Sequence, residues 1–274
     1  MYFDGELQRF LSSLELTDKQ SELAALRNNN LRDRLKQKSS AEIKKTLLIG
    51  SYERDTQIRP RITDHWALDV DALAILELST KNIDTYFKNN DGGEKLLENF
   101  YQALYGFQGL EVEKDTPAIT VKWMSQKMKV EIVPAFEAQG GGFLIPNYHW
   151  WHGYKWIVTN PLEDAKLLSK ANINSGGELK PFIKSLKCWN RKEDKILTSF
   201  GIEALAFKTV GGTFNGFLPE LQSFFETLLQ IDGKKIDPPS GLGDSLFVEL
   251  GSRRSRVERS CIIHSHVNAV KLVL

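Results

Sequence analysis

Cysteine is almost absent. The 274 residues hold only Cys188 and Cys261, too few for a disulfide scaffold at this length. No Cys-x-x-Cys supports a zinc site either, although His149 and His152, and His264 and His266, come in pairs. The tryptophan-flanked His149 and His152 read as packing or surface residues. Long apolar runs are also missing. None approaches the roughly 18 residues of a membrane span, and Met1-Tyr2-Phe3-Asp4-Gly5 lacks the basic, then apolar, start of a secretory signal. A cytoplasmic protein with no membrane partner is expected. Net charge is scarce too, since 36 Lys and Arg against 35 Asp and Glu leave a formal +1. A dedicated nucleic-acid binder carries a strongly basic field, so no stable nucleic-acid partner is expected, although a local basic groove stays open. Internal repeats and long low-complexity segments are absent.

What is present is a soluble, globular composition, with 41% apolar and 26% charged residues. Within it, three short stretches carry chemistry. The apolar run Thr46-Leu47-Leu48-Ile49, a short buried strand by length and composition, runs into Gly50-Ser51. A Gly-Ser turn lets backbone N–H groups come close to a phosphate. Asp69-Val70-Asp71 then opens the strand-like run Ala72-Leu73-Ala74-Ile75-Leu76. Side chains alternate along a strand, so Asp69 and Asp71 share a face. Two carboxylates held that close repel unless a cation lies between them, and a hard divalent ion with oxygen ligands, Mg²⁺ or Mn²⁺, is the natural partner. Glu131, in the alternating segment Lys129-Val130-Glu131-Ile132-Val133, supplies a third carboxylate from a neighbouring strand. The competing reading puts all three on a solvated sheet face; the apolar flanks favour the mouth of a core sheet.

Along the chain, residues 5–40 are expected to be helical, broken near Leu16-Thr17-Asp18, where Thr17 and Gln20 have capping-box spacing. A helix is predicted from Asp91 to Tyr105, with Leu96, Leu97, Phe100 and Leu104 at helical spacing, and strands at Ala118 to Trp123 and Lys129 to Val133. After residue 160 the pattern becomes helical, with helices starting at Asn160-Pro161 and covering Glu178 to Trp189, Ser199 to Phe207 and Leu218 to Gln230. In the second of these, Phe182, Leu186 and Trp189 fall on one face and Lys180, Lys184 and Lys187 on another. Asp237 to Gly243 is a loop. Gly140-Gly141-Gly142 is either a mobile loop near the site or a plain turn. The class is α+β: a small catalytic β-sheet lobe with N-terminal helices over 1–158, then a helical lobe over 159–274.

Taken together, these residues resemble the cGAS/DncV-like nucleotidyltransferases (CD-NTases), cyclic-oligonucleotide synthases within the DNA polymerase β-like superfamily. The resemblance rests on Gly50-Ser51 with Arg54, Thr56 and Ile58-Arg59-Pro60; Asp69-Val70-Asp71; Glu131-Ile132-Val133-Pro134-Ala135; Trp156 with Thr159-Asn160-Pro161; Leu186-Lys187-Cys188-Trp189-Asn190; and Thr198-Ser199-Phe200 with Glu203-Ala204-Leu205. It implies a bilobal enzyme holding nucleoside triphosphates, with Lys187 and Ser199 on the triphosphate tail. Lysine is a point-charge phosphate binder, although a solvated helix face is the alternative for Lys187. Two positions depart from the family pattern: Glu131 stands where aspartate is common, and Asp55 where the turn commonly carries glycine.

Two-metal nucleotidyl transfer is the mechanism expected of Asp69, Asp71 and Glu131, with Gly50, Ser51, Lys187 and Ser199 fixing the phosphates in line. Asn160 could read a base edge, and Tyr52, Trp66, Tyr148 and Phe200 are candidates for stacking. Which bases are joined, in what ring size and through which linkage, the sequence leaves open. The family setting implies antiphage signalling through a separate effector activated by the cyclic product. Two rivals stand beside this reading. One is linear transfer to an RNA end or other acceptor, for which Arg253-Arg254-Ser255-Arg256-Val257-Glu258-Arg259 is the only dense basic run and a solvated helix face explains it equally. The other is a nucleotide-binding protein whose catalysis has lapsed, with Glu131 as its support.

Overall fold

The computed structural model describes residues 2–61, 64, 68–88, 90–106, 110–149, 153–255 and 257–258. Helices α1 (Tyr2–Leu14) and α2 (Asp18–Lys38) precede β1 (Ile43–Ile49), the single turn α3 (Gly50–Glu53) and β2 (Leu68–Leu76). Next come α4 (Thr80–Tyr86), α5 (Gly92–Leu104), β3 (Leu110–Asp115), β4 (Ala118–Trp123), β5 (Met128–Glu137), β6 (Phe143–His149) and β7 (Gly153–Thr159). Four helices come after them, α6 (Pro161–Asn174), α7 (Leu179–Lys192), α8 (Ser199–Val210) and α9 (Phe217–Gln230), and then the two-residue strands β8 (Lys235–Ile236) and β9 (Leu246–Phe247). The α+β class expected from the sequence is the class observed. Among the described residues no helix is long and apolar enough to cross a membrane.

The chain forms two compact units, one of Thr17–Glu53 and Pro60–Leu162, the other of Met1–Leu16, Arg54–Arg59 and Glu163–Leu274. The sequence places a single boundary at 158/159, whereas the contacts interleave the two units. The sheet unit begins at the expected cap: Thr17 Oγ1 accepts from the Gln20 N–H (3.3 Å) and the Gln20 side chain accepts from the Thr17 N–H (2.9 Å). Each bond satisfies a donor that the start of a helix would otherwise leave bare.

Strand order in this unit is β1-β2-β5-β4-β3, and within that path only β2 and β5 run parallel. A parallel pair needs a long crossover, and here α4, α5, β3 and β4 lie between the two strands in sequence. Burial along β2 explains its composition. From Ala72 to Leu76 every residue is buried, as in a strand covered on both faces. Before that, Leu68 and Val70 are buried while Asp69 and Asp71 are partly exposed, so one face of the sheet opens at this end. In β5 the same switch occurs: Met128, Val130 and Ile132 are buried, and Lys129 and Glu131 alternate with them. The open face therefore carries the charged residues of both strands.

Behind the sheet, α5 buries Leu96, Leu97, Phe100, Ala103 and Leu104, the face expected from their spacing. The β6–β7 hairpin, absent from the sequence reading, joins β5 through Phe136 and Glu137. Aromatic packing anchors it, with Phe87 stacked on Trp156 at 4.8 Å and Phe136 edge-on to both. Gly140-Gly141-Gly142 makes the plain turn between β5 and β6, all three glycines having positive φ and the Ala138 N–H donating to Gly142 O. In the second unit α7 is buried almost throughout, Trp189 meeting Phe225 edge-on at 4.7 Å and Phe182 meeting Phe217 at 5.5 Å.

Phe136→Ala is expected to cost about 3–5 kcal/mol, the usual range for emptying a buried phenylalanine site. Urea unfolding followed by tryptophan fluorescence checks it; a loss below about 1 kcal/mol would mean that this ring does not hold the hairpin to the sheet.

Candidate active site

The parallel register places Asp69 beside Lys129 and Asp71 beside Glu131. Adjacent strands lie about 4.8 Å apart, and all four side chains occupy the open face, so the sequence-predicted carboxylates do come together on one sheet surface. Ile49, the last residue of β1, is opposite Asp71, which brings the Gly50-Ser51 turn against that carboxylate. Gly50 has φ +72°, and a Cβ there would stand 1.8 Å from Asp71 Oδ2. Only glycine fits, for reasons of both backbone and space. Ser51 lies within the same single turn.

Between the carboxylates lies a residue that the sequence reading passed over. Lys129 Nζ donates to Asp69 Oδ2 at 2.9 Å and to Glu131 Oε1 at 2.6 Å. Burial pulls the pKa of this ammonium down, but its hydrogen bonds to Glu131 and Asp69, with their charges, outweigh burial and raise it above the ordinary lysine value. The lysine stays charged. On β4, Thr120 faces Glu131 and Lys122 faces Lys129; Lys122 is itself paired with Glu111 and Glu113.

The donor set fits a hard divalent ion in kind, since three carboxylates on adjoining strands offer only oxygen ligands and Gly50 leaves a cradle around Asp71. Among the described residues, no three such side chains are drawn close enough to enclose an ion, and the cationic place is filled by Lys129. CD-NTases generally depend on divalent metals.

The other unit holds the remaining charged constellation. Glu203 on α8 is 1% exposed and accepts from Arg54 Nε, from Thr56 Oγ1 (2.8 Å) and from Lys187 Nζ (2.5 Å). The Lys187 ammonium also donates to Thr56 O (3.0 Å), and the Arg54 guanidinium lies 5.2 Å over the Phe200 ring. Burial pushes the Glu203 carboxyl up, but Lys187 and Arg54 more than offset it, and its pKa lies below the ordinary glutamate value. Asp164, 4% exposed, interacts electrostatically with both Arg54 and Glu203, so two carboxyl groups and two cations meet in this buried group. The solvated helix face offered as the alternative for Lys187 does not hold. Lys187 is buried, and Lys184, 3% exposed, donates to Asp55 Oδ1 (2.9 Å) and to Glu15.

Asp55 thereby gains an account. Its φ of +53° is the left-handed conformation that glycine adopts without strain, and aspartate is among the residues that tolerate it. Its carboxylate then serves Lys184 and, at 3.7 Å, Lys180.

Other expected residues fall variously. Ser199 is exposed at the first position of α8, behind the Thr198 cap, which accepts from the Gly201 N–H at 3.0 Å. Asn160 comes directly after β7 and lies against the β5–β6 turn, 3.5 Å from where a Gly142 Cβ would be. Tyr52 is pinned by its hydroxyl, which donates to Ser21 O. Phe200 is covered by Arg54, and Tyr148 is exposed on β6. Trp66, His152, Cys261, His264 and His266 lie outside the described residues, as do the His149 side chain, Arg256 and Arg259. Arg254, in the basic run, pairs with Asp232 and Glu258.

Gly50→Ala is expected to displace Asp71 and abolish any chemistry at this face while the chain still folds, which circular dichroism and turnover together would read; full turnover would mean that the close approach is dispensable. Glu203→Gln is expected to cost about 3–5 kcal/mol at pH 7, because it takes the charged partner from two buried cations. A depressed carboxylate stabilises above its unfolded pKa, about 4.3, and loses that contribution as pH falls through the lower folded value. The stability gap between wild type and variant should thus narrow on acidification below pH about 4; a gap unchanged between pH 7 and 3, by urea titration, contradicts the assignment.

Comparison with known proteins identifies the family and the fold. Residues 1–172 match the profile of the SMODS domain, the Second Messenger Oligonucleotide or Dinucleotide Synthetase domain. A cyclic AMP-AMP-AMP synthase from Acinetobacter is 32% identical over 173 residues, 60% of this chain but only 45% of that protein. Among solved structures, Vibrio cholerae DncV in its 3′-deoxy ATP bound form is similar with a TM-score of 0.73 at 15% identity, covering 96% of this chain and 90% of that one. The Bradyrhizobium diazoefficiens CD-NTase CdnG in complex with GTP gives 0.69 at 14% identity, covering 97% and 90%. These structural likenesses extend the shared fold beyond residue 172, into the helices that carry Lys187, Ser199 and Glu203. With the domain profile matched over more than half its length, the chain belongs to the SMODS family of CD-NTases.

Proposed function

We propose that this chain is a nucleotidyltransferase that joins nucleoside triphosphates into a cyclic di- or trinucleotide, acting in the cytoplasm upstream of an effector that the product activates. The observation that carries the reading is the parallel register that lines Asp69, Asp71 and Glu131 along one open sheet face beside the Gly50 turn. Family membership supports it. The activity named for the Acinetobacter relative supports ATP as the first substrate to try.

In this mechanism, the 3′ or 2′ hydroxyl oxygen of one nucleotide bonds to the α-phosphorus of another. The bond to pyrophosphate breaks, and the hydroxyl proton leaves to solvent. Mg²⁺ or Mn²⁺ held by Asp69, Asp71 and Glu131 would lower the hydroxyl pKa and stabilise the charge on the departing pyrophosphate. Gly50 and Ser51 offer backbone N–H groups to the phosphates. Ser199 at the start of α8 and the ammonium of Lys187 attract the triphosphate tail. Lys187 also fixes Thr56 and Glu203, so it acts on the tail as a held charge. Exchanging acceptor and donor and repeating the step closes the ring. Asn160 and Tyr148 are the base-reading candidates.

One observation favours a second reading. Lys129 bridges Asp69 and Glu131, the arrangement expected of a nucleotide-binding protein whose catalysis has lapsed. A single experiment separates the two. The purified protein is incubated with all four ribonucleoside triphosphates and Mg²⁺ or Mn²⁺, and the products are treated with phosphatase and weighed by mass spectrometry. A phosphatase-resistant cyclic product, lost in Asp69→Ala and in Asp71→Ala, is expected. Product persisting in both variants would sink the carboxylate assignment, and triphosphate binding without turnover would favour the lapsed reading.

A further inference from the structure

The carboxylate face carries its own cation. Asp69, Asp71 and Glu131 bring three negative charges to adjoining positions of β2 and β5, and strand alternation alone would leave them repelling one another. The register puts Lys129 directly beside Asp69 and two residues before Glu131 on the same face. Positions i and i+2 of a strand are about 6.6 Å apart; the lysine stem and the extra methylene of Glu131 bring their charged ends to 2.6 Å. The departure from aspartate at position 131 and the presence of a lysine at position 129 are thus two halves of one contact. Lys129 is mostly buried while Asp69 is half exposed, so the ammonium sits on the sheet with the carboxylates closing over it. Lys122, its neighbour on β4, is taken by Glu111 and Glu113, which leaves Lys129 directed at the site.

We infer that Lys129 is the resident counterion of the carboxylate site, and that a divalent cation binds Asp69 and Glu131 only by displacing its ammonium, so that this lysine sets the metal affinity. The inference rests on the proposed reading of the carboxylates as metal ligands. A dication entering beside a retained ammonium meets a like charge, and one oxygen of each of the two carboxylates already accepts from that ammonium. Removing the ammonium while keeping the stem takes a positive charge from between Asp69 and Glu131 and strengthens their pull on the metal. The lysine is a positioning residue: it orders the site in the absence of metal and weakens metal binding.

The test needs no turnover. Mn²⁺ binding to the nucleotide-free protein is measured by electron paramagnetic resonance of the free ion, for wild type, Lys129→Met, Lys129→Gln, Lys129→Arg and Asp69→Asn. Both neutral variants should bind Mn²⁺ at least about tenfold more tightly than wild type, a difference of about 1.4 kcal/mol. Lys129→Arg, which keeps the charge, should not. In thermal unfolding at low salt, the neutral variants should start below wild type without metal and gain more from added Mn²⁺. Unchanged or weaker Mn²⁺ binding in the folded neutral variants, with binding still lost in Asp69→Asn, overturns the role of Lys129 alone. Binding indifferent to Asp69→Asn, or absent from every variant, overturns the metal reading of the carboxylates together with it.

Discussion

Parallel pairing of β2 with β5 is the constraint on which the site depends. A shift of one residue would turn Asp69 and Asp71 toward Met128, Val130 and Ile132 and bury their charges in the sheet. The register is specified where buried Leu68 and Val70 alternate with the aspartates and buried Met128, Val130 and Ile132 alternate with Lys129 and Glu131, and the fully buried run from Ala72 to Leu76, paired with Ile132 to Ala135, anchors both strands in the core. The core half of each strand therefore aims the charged half. Chemistry placed at the end of a heavily packed strand gains precision from packing that it does not itself supply.

A second tie works by charge. Arg54 and Thr56 come only a few residues after the Gly-Ser turn, yet they belong with Glu203 and Lys187, far along the chain. Buried ion pairs contribute little net stability over apolar residues of the same size, and breaking one is costly. Their value here is specificity. Glu203 accepts bonds from three side chains and has one arrangement that satisfies them all, which fixes the six residues from Arg54 to Arg59 in a unit whose bulk begins more than a hundred residues later.

Elements with strong local signals were legible in the sequence. The Thr17 capping box, the apolar face of α5, the strand after Asp69 and the alternation around Glu131 all emerged where expected. The β6–β7 hairpin did not, because Pro146 and the aromatic residues between Phe143 and Trp156 give neither clean alternation nor helical spacing, and the place of Trp156 is set by Phe87 and Phe136 from elsewhere in the chain. Lys184 and Lys187 look like a solvated stripe on a helical wheel; they are buried because Asp55, Glu15 and Glu203 come to them from distant positions. Lys129 was hidden for a related reason. Its relation to Glu131 is visible in the sequence, but its relation to Asp69 exists only once the strands are paired.

The interleaving of the units has a genetic consequence. The domain profile ends at residue 172, which invites cutting the gene there. A fragment of that length would carry Arg54 and Thr56 without Glu203 or Lys187, and the first helix, α1, without α7. It would thus retain every aspartate and glutamate of the sheet face while losing the partners that order the stretch just after the Gly-Ser turn. Truncation and shuffling, in the laboratory or in evolution, must move the two units together.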